Sequence, residues 1–240
     1  MSKLSVYAQK IEHIFIDKKI KDTLISHIDY FLENKERYIK FGRPYKLNIL
    51  LHGVPGSGKS SLIKSIAMKY DRPVYILSFS KTMVDDVLIT LINEMDNDAI
   101  LMLEDIDSFF IKRDPGERLN VSFSCLLNVL DGALTRQGMI CFMTANDINE
   151  LDSALIRPGR VDRTVRFDYP RRENIRAAYD ALEDNPSDED FNAFYDKIRE
   201  YKINMSGIVD YLFRGDRNIN DLITQTKELT RESNADKLFL

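Results

Sequence analysis

Apolar residues follow two patterns along roughly the first two thirds of this chain. In some stretches they recur every third or fourth position, as on one face of a helix, and between these stretches they form short continuous runs. The runs occupy residues 47–51, 73–79, 99–103, 139–144 and 164–167, of which the last, Thr-Val-Arg-Phe, is mixed rather than apolar. The runs at 99–103 and 139–144 have the composition of a strand buried on both faces of a parallel sheet. Strands alternating with helices predict an α/β fold with a doubly wound parallel sheet of five strands, the last at an edge.

The segment before the first run is predicted to be mostly helical. Apolar spacing predicts a helix from Asp17 to Asn34. Residues 35–45 are polar and aromatic and contain a glycine and a proline, so they are predicted to be a connecting loop. The spacing within residues 3–13 is loose and fits either a strand or a helix.

After the last run, helical spacing continues to the end of the chain. The predicted helices occupy residues 172–183, 188–200, 206–214 and 218–232. The expected organisation is therefore a helical lead-in over residues 1–46, an α/β core over 47–170 and a small all-helical lid subdomain over 171–240.

A glycine-rich segment, Gly53–Ser60, links the first run to the helix that follows it and fits the pattern G-x-x-x-x-G-K-[ST] of a phosphate-binding loop. Glycines at 56 and 58 allow main-chain N–H groups to surround phosphate oxygens, and the helix N-terminus favours the same anion. The lysine reaches the β and γ phosphates, and the serine hydroxyl suits Mg²⁺. The alternative is a glycine turn that happens to precede Lys-Ser. The predicted phosphate-binding residues are Gly53, Pro55, Gly56, Ser57, Gly58, Lys59, Ser60 and Ser61.

Acidic residues follow the run at 99–103. Glu104, Asp105 and Asp107 lie at its carboxyl end, where open α/β sheets bind ligands. The alternative is that these acids only cap the next helix, and for Asp107 both interpretations remain open.

Composition narrows the function classes. The 240 residues are 44% hydrophobic and 30% charged with a net charge of −4, which is ordinary for a soluble globular protein and argues against a dedicated binder of nucleic acid or anionic membranes. No apolar stretch is long enough to span a membrane, and no targeting signal is seen. Cys125 and Cys141 form no motif. We therefore expect a cytoplasmic or other reducing intracellular compartment.

The predicted strands and helices, the glycine-rich segment and the acidic residues, in this order, resemble an AAA ATPase over roughly residues 12–215. More narrowly, they resemble the family of the mitochondrial translocase that inserts the Rieske protein into respiratory complex III. The segments that carry the resemblance are GRPY (42–45), GKSSLIK (58–64), LMLEDID (101–107), FSCLLNVLDG (123–132), MTAN (143–146) and LDSALIRPGRVD (151–162). It implies the P-loop NTPase (AAA+) fold with a helical lid. The full-length translocase also has a membrane helix and a further domain, so we do not expect anchoring or Rieske transport from this sequence.

The resemblance implies roles for the acids. Glu104 takes the position that, with Ser60, orients Mg²⁺ and its waters, and Asp105 takes the position that polarises the attacking water. Most AAA proteins have these two acids in the opposite order. Because an aspartate is one methylene shorter than a glutamate, hydrolysis is expected to be slow.

The resemblance also implies roles for four residues beyond the acids. Asn146 would hydrogen-bond the γ-phosphate or the lytic water, or else is a turn residue at a strand end. Arg157 and Arg160 match arginine fingers that act on the nucleotide of a neighbouring subunit; otherwise they are solvated arginines on a surface turn. Gly207 would let the lid backbone approach the ribose or base.

The favoured function is Mg²⁺-dependent ATP hydrolysis by a homo-oligomeric ring, a hexamer or heptamer, that remodels or moves an unknown protein client. One alternative is an AAA-type loader or helicase-like ATPase that acts on nucleic acid, which the acidic balance disfavours. The other is a switch that binds ATP and scarcely hydrolyses it.

Overall fold

The five predicted strands form the parallel strands of one sheet. A computed structural model describes residues 2–4, 9–77, 83–110, 121–132, 137–214 and 217–236. The strands are β1 (Ser2–Leu4), β2 (Leu47–Gly53), β3 (Val74–Leu77), β4 (Ile100–Leu103), β5 (Ile140–Ala145) and β6 (Arg163–Phe167). Their order in the sheet is β1-β3-β4-β5-β2-β6. The predicted α/β class is confirmed, and β6 lies at an edge as expected.

Strand β1 brings the sheet to six strands, and it is the one that the hydrophobic pattern did not specify. Ser2–Leu4 pairs antiparallel with β3, whereas every other pair in the sheet is parallel. Further along the region left open between strand and helix, Ile11–His13 forms a short 3₁₀ helix.

The register of β4 and β5 determines which side chains meet at the carboxyl edge. Leu103 pairs with Met143, so Glu104 and Thr144 come next on neighbouring strands. All residues of both strands are buried, which is why each appears in the sequence as an apolar run, interrupted only by Thr144 near the end of β5.

The chain divides into two compact units. The first contains Met1–Ile14, Lys18–Gly53 and Lys59–Phe167; the second contains Phe15–Asp17, Val54–Gly58 and Asp168–Leu240. The phosphate-loop residues 54–58 are thus grouped with the carboxyl-terminal helices, while Gly53 and Lys59 are grouped with the sheet.

The described part of the first unit contains five α-helices. They are α1 (Lys18–Glu33), α2 (Lys35–Lys40), α3 (Lys59–Lys69), α4 (Asp85–Glu94) and α5 (Phe123–Asp131). The prediction of an uninterrupted loop over 35–45 was wrong, because α2 occupies its first half. The ring of Tyr38, on α2, packs edge-on against Phe31 and Tyr45 at 5.7 and 5.4 Å. This tertiary packing stabilises a helix that the local sequence does not indicate.

Helix α5 begins and ends at residues suited to those places. The Ser122 hydroxyl accepts a hydrogen bond from the N–H of Cys125 and so caps the first turn. Gly132 follows the last residue in a left-handed conformation, with φ of 92°. The apolar face of α5 packs in the main core with β4 and β5.

The second unit has its own helical core. Its helices are α6 (Arg172–Leu182), α7 (Asp188–Ile198), α8 (Met205–Phe213) and α9 (Ile219–Asp236). Phe191 and Ile208 are fully buried within this core. Among the described residues, no helix combines the length and the apolar character needed to cross a membrane.

Candidate functional site

Lys59, the first residue of α3, lies among polar atoms at the carboxyl edge of the sheet. Its side chain is almost fully buried, and Nζ donates hydrogen bonds to the carbonyl of Gly53 (2.7 Å) and to Oδ1 of Asn146 (3.2 Å). Burial lowers the pKa of Lys59, and the charges of Asp105 and Asp107 oppose that shift. An ammonium with three donors can exchange such partners for phosphate oxygens. The structure therefore brings together two residues predicted to contact the γ-phosphate.

Ser60 and Glu104 form a second pair. The Ser60 hydroxyl donates to Oε1 of Glu104 at 3.3 Å. A hydroxyl beside a carboxylate is a set of hard oxygen ligands that suits Mg²⁺, which keeps several waters and needs few protein ligands. In the described part of the chain, no three His, Cys, Asp or Glu side chains are grouped to hold a metal. The donors present thus fit a Mg²⁺ ion held mainly by water and phosphate.

Asp105 has an unusual backbone conformation. Its φ of 47° and ψ of 53° are left-handed, a region that aspartate and asparagine enter more readily than most residues. Its N–H donates to the Thr144 hydroxyl on β5 at 3.0 Å. The carboxylate itself is exposed. Asp105 is therefore held through its backbone while its side chain remains accessible.

Asp107 supports Asn146 from the adjacent strand end. It is 6% exposed, and its Oδ2 accepts hydrogen bonds from the N–H groups of Asn146 (2.7 Å) and Asp147 (3.3 Å). Its Oδ1 also accepts from the N–H of Ser108 at 3.1 Å, within the short helix that follows. Asp107 thus lies within the short helix and accepts hydrogen bonds from backbone N–H groups there and at the end of β5, and a contact of its carboxylate with a ligand stays a prediction. Thr144 of β5 accepts from the backbone after β4, and Asp107 after β4 accepts from the backbone after β5, so the two strand ends are linked in both directions. In the sequence, the polar Thr144 within an apolar run was the signal that could have indicated this link.

The phosphate loop proper, residues 54–58, contacts the start of α8 within the second unit. The N–H of Ser206 donates to the carbonyl of Gly56 at 2.9 Å. A Cβ added to Gly56 would lie 2.6 Å from Nδ2 of Asn204, and φ there is +71°. Only glycine therefore fits this position without displacing Asn204.

Two further observations concern the ligand-binding capacity of this loop. Ser57 is 4% exposed, and its hydroxyl has no hydrogen-bond partner among the described residues. A buried hydroxyl without a partner is uncommon and suits a polar ligand.

Gly207 lies in the first turn of α8, where its N–H donates to Oδ1 of Asn204 at 2.8 Å. The structure thus places Gly207 near the loop residue Gly56 through a shared neighbour, Asn204.

The two candidate fingers have different environments. The Arg160 guanidinium makes two hydrogen bonds to the Asp131 carboxylate (2.8 and 3.0 Å) and one to the Ala154 carbonyl (2.9 Å). The bond to Asp131 raises the pKa of Arg160. Arg157 is exposed, and its side chain has no hydrogen bond or ion pair with any described residue. A role on a neighbouring subunit's nucleotide remains a prediction for both.

Comparison with known proteins shows which family the sequence matches. The model of the ATPase family associated with various cellular activities (AAA) matches residues 49–169. A probable mitochondrial chaperone BCS1-A from Dictyostelium discoideum is 32% identical over 92% of this chain and 55% of its own length. The probable mitochondrial chaperone bcs1 of Schizosaccharomyces pombe is 34% identical over 83% of this chain and 43% of its own length.

The human relative is similar over a shorter segment. The mitochondrial chaperone BCS1 of Homo sapiens is 35% identical over 63% of this chain and 38% of its own length. The chain therefore spans about half the length, or less, of these curated relatives. Because the family model matches half of the chain, the chain belongs to the AAA family of ATPases, and within that family it is similar to the BCS1 chaperones.

Proposed function

We propose that this protein is a Mg²⁺-dependent ATP hydrolase that works as a homo-oligomeric ring. The observation that carries the proposal is the contact of Lys59 with both Gly53 and Asn146, beside the Ser60–Glu104 pair. These residues lie at the ends of three strands, β2, β4 and β5, and at the start of α3, yet their polar atoms converge at one edge. That convergence suits a triphosphate and its metal.

Each residue has a role in this proposal that follows from its chemistry. Lys59 and the loop amides bind the phosphates, while Ser60 and Glu104 would hold Mg²⁺, which neutralises charge on the phosphate oxygens when it is bound. Asp105, exposed and fixed through its backbone, accepts the proton of the attacking water or orients that water. Asn146, whose backbone is held by Asp107, donates its amide hydrogens to the γ-phosphate or the water.

The last group in the proposal comes from a neighbouring subunit. Arg157 is exposed without a partner in its own described chain, so it is available to a nucleotide on an adjacent copy. A planar guanidinium suits the charge that spreads over equatorial phosphate oxygens during transfer. Arg160 is the second candidate finger, although its side chain contacts Asp131 within this chain. The ring is proposed as a hexamer or heptamer.

The proposed substrate of the ring is a protein. The relatives described above are named as mitochondrial chaperones, and this supports a client that is remodelled or moved as ATP is hydrolysed. The word mitochondrial in those names also supports an intracellular compartment for this chain. Both cysteines are buried and free, in keeping with such a compartment.

The experiment compares ATP binding and hydrolysis by the whole chain and its Lys59→Ala variant, with and without Mg²⁺. We expect steady hydrolysis that requires Mg²⁺, and loss of both binding and hydrolysis in the variant. Lys64→Ala, on the same helix, is the matched control and should leave both unchanged. Hydrolysis that persists in Lys59→Ala would contradict the proposed site.

A second candidate function is an ATP-binding switch with little turnover. The observation that favours it is Asp105, whose carboxylate is one methylene shorter than a glutamate and whose backbone is left-handed. A single-turnover assay with excess enzyme and Mg²⁺ separates the two functions. Bound ATP that remains intact over many minutes would favour the switch.

A further inference from the structure

The segment that carries Arg157 is a tight turn over residues 156–162, here called the arginine turn. The carbonyl of Arg157 accepts hydrogen bonds from the N–H groups of Arg160 (3.0 Å) and Val161 (3.2 Å), and Gly159 has φ of +95°. These bonds fix the shape of the turn but not its orientation on the sheet. The contacts that attach the turn to other elements therefore decide where Arg157 is presented.

Asn48, on β2, makes several of these contacts. Its side chain is fully buried, and Nδ2 donates to the carbonyls of Arg160 (2.6 Å) and Leu130 (2.8 Å). Its backbone N–H donates to Oδ2 of Asp162 (2.8 Å), and its carbonyl accepts from the N–H of Asp162 (2.9 Å). One strand residue thus binds two positions of the arginine turn and the last part of α5.

Two more side chains attach the same turn. Lys46, just before β2, is 7% exposed, and its Nζ donates to the carbonyl of Gly159 at 2.7 Å. The Arg160 guanidinium is held by Asp131 at the end of α5. Lys46 therefore holds Gly159, and Asp131 holds Arg160. The Arg157 side chain, by contrast, has no hydrogen bond or ion pair in the described chain.

The side chain of Asn48 is unexpected at its position. Its strand neighbours Leu47, Ile49 and Leu50 are apolar and buried. Its Oδ1 is buried without a partner among the described residues, which destabilises the fold. A leucine would fit the apolar surroundings of this strand and would leave no buried oxygen without a partner. The two hydrogen bonds that the Asn48 amide donates therefore explain why an asparagine is present. One of these bonds reaches the arginine turn at the carbonyl of Arg160, and the other reaches α5 at the carbonyl of Leu130.

We propose that Asn48 is a positioning residue for Arg157, which holds the arginine turn so that this guanidinium reaches the nucleotide of an adjacent copy. The inference rests on the proposed function, because it requires a ring in which Arg157 acts between subunits. Strand β2 also ends at Gly53, where the phosphate loop begins. Strand β2 therefore leads into the phosphate loop of its own chain and, through Asn48, holds the turn whose arginine acts on the nucleotide of the adjacent chain.

The test uses mixtures of whole chains with different defects. A chain with Asp105→Asn keeps its finger but cannot turn over its own ATP, and a chain with Arg157→Ala keeps its own site but lacks the finger. Mixing them should restore hydrolysis, since an Asp105→Asn chain donates Arg157 to its Arg157→Ala neighbour. Asn48→Ala is then added either to the donor of the finger or to the acceptor, and the restored rate and the KM for ATP are measured.

The proposal predicts an asymmetric result. Asn48→Ala in the finger donor should lower the restored rate at least about tenfold with KM unchanged, because misplacement by 1 Å far from the chemistry can cost about 10²-fold. In the acceptor the same substitution should leave the rate nearly unchanged. Equal loss in both placements, or no loss in either, would overturn the proposal. Failure of the parent mixture, with Asn48 intact, would instead count against the ring.

A second variant covers the case in which Asn48→Ala does not fold. Lys46→Met keeps the apolar stem of the side chain and removes only the ammonium that binds Gly159. It should give the same asymmetry with a smaller loss. Thermal unfolding and ATP affinity of each single variant show whether its fold and its own site are intact. A well-folded Lys46→Met chain with no asymmetry would contradict the proposal as well.

Discussion

The edge formed by the ends of β4 and β5 differs from the arginine turn in one respect that matters for catalysis. At both places an exposed charged group rests on buried polar support: Asp105 on Thr144, and Arg157 on the turn that Asn48 holds. At the strand ends, however, the functional groups contact one another within one chain, as Lys59 does with Asn146. Arg157 has no such partner in the described residues.

Under the proposed function, this difference means that the binding of ATP and the acceleration of its hydrolysis depend on different copies of the chain. The residues suited to hold ATP and Mg²⁺ are supplied by one chain, whereas the guanidinium suited to the transition state is presented outward. Under the proposed function, each chain binds nucleotide alone but hydrolyses it quickly only beside another copy. Four substitutions test this separation, and they follow in order of decreasing expected effect.

Arg157→Ala should give the largest effect on rate. Arginine fingers contribute about 10³–10⁵ in kcat, and the loss should occur without a change in ATP affinity because the Arg157 side chain makes no hydrogen bond or ion pair with the residues that the structure describes. The measurement is kcat together with the dissociation constant for ATP. Arg43→Ala, another exposed arginine of the first unit, is the control and should behave as the parent chain does. An equal loss of affinity would place Arg157 at its own nucleotide.

Asp105→Asn should lower the single-turnover rate by about 10²–10⁴, the contribution of a general base. Asparagine is isosteric and tolerates the left-handed backbone at this position, so the fold and ATP binding should be retained. Rapid-quench measurement of bound ATP gives the rate. A variant that cleaves ATP as fast as the parent chain would exclude Asp105 as the residue that activates water.

Asp107→Ala should have both a structural and a catalytic effect. It leaves the N–H groups of Asn146 and Asp147 without their acceptor, which should lower the free energy of unfolding by about 1–3 kcal/mol. The shift of Asn146 should also reduce kcat, by up to about 10²-fold. Denaturant unfolding and steady-state kinetics measure the two effects. Asp152→Ala, which removes a similar but exposed acceptor, is the control. Lower stability with unchanged kcat would make Asp107 purely structural.

Arg160→Lys should have the smallest effect. It removes the two-pronged bond to Asp131, a partly exposed pair worth at most about 1 kcal/mol, so Tm should fall by no more than about 2–4 °C. Calorimetry measures this shift, and kcat should fall far less than in Arg157→Ala. A loss of kcat as large as that of Arg157→Ala would instead support Arg160 as a second finger.

Local sequence determined much of the fold. The apolar runs of β4 and β5 are buried on both faces, so their composition alone identified them. The ends of α5 are also set locally, by the side chain of Ser122 and the left-handed backbone of Gly132. Helix α2 was missed, since it depends on rings from three separate segments packing together. The antiparallel strand Ser2–Leu4 was left open because three residues carry too little periodicity.

The site was predictable where one motif specified it and less so where contacts cross the chain. The phosphate loop is a continuous segment with defined chemistry, so its residues could be named from the sequence. Asn48 and Thr144 act through partners far away in sequence, Arg160 and Asp105 respectively. Their only local signal is a polar residue within, or at the end of, an apolar run, and that signal does not identify the partner.

The most direct test of this account is the ATP hydrolysis rate of a mixture of the Arg157→Ala and Asp105→Asn chains. Each variant alone should be almost inactive. The account predicts that the mixture regains a substantial share of the parent rate, with a maximum near equal proportions, because one chain supplies the intact site and the other supplies the guanidinium. A mixture no more active than its two components, although both bind ATP and assemble, would contradict it.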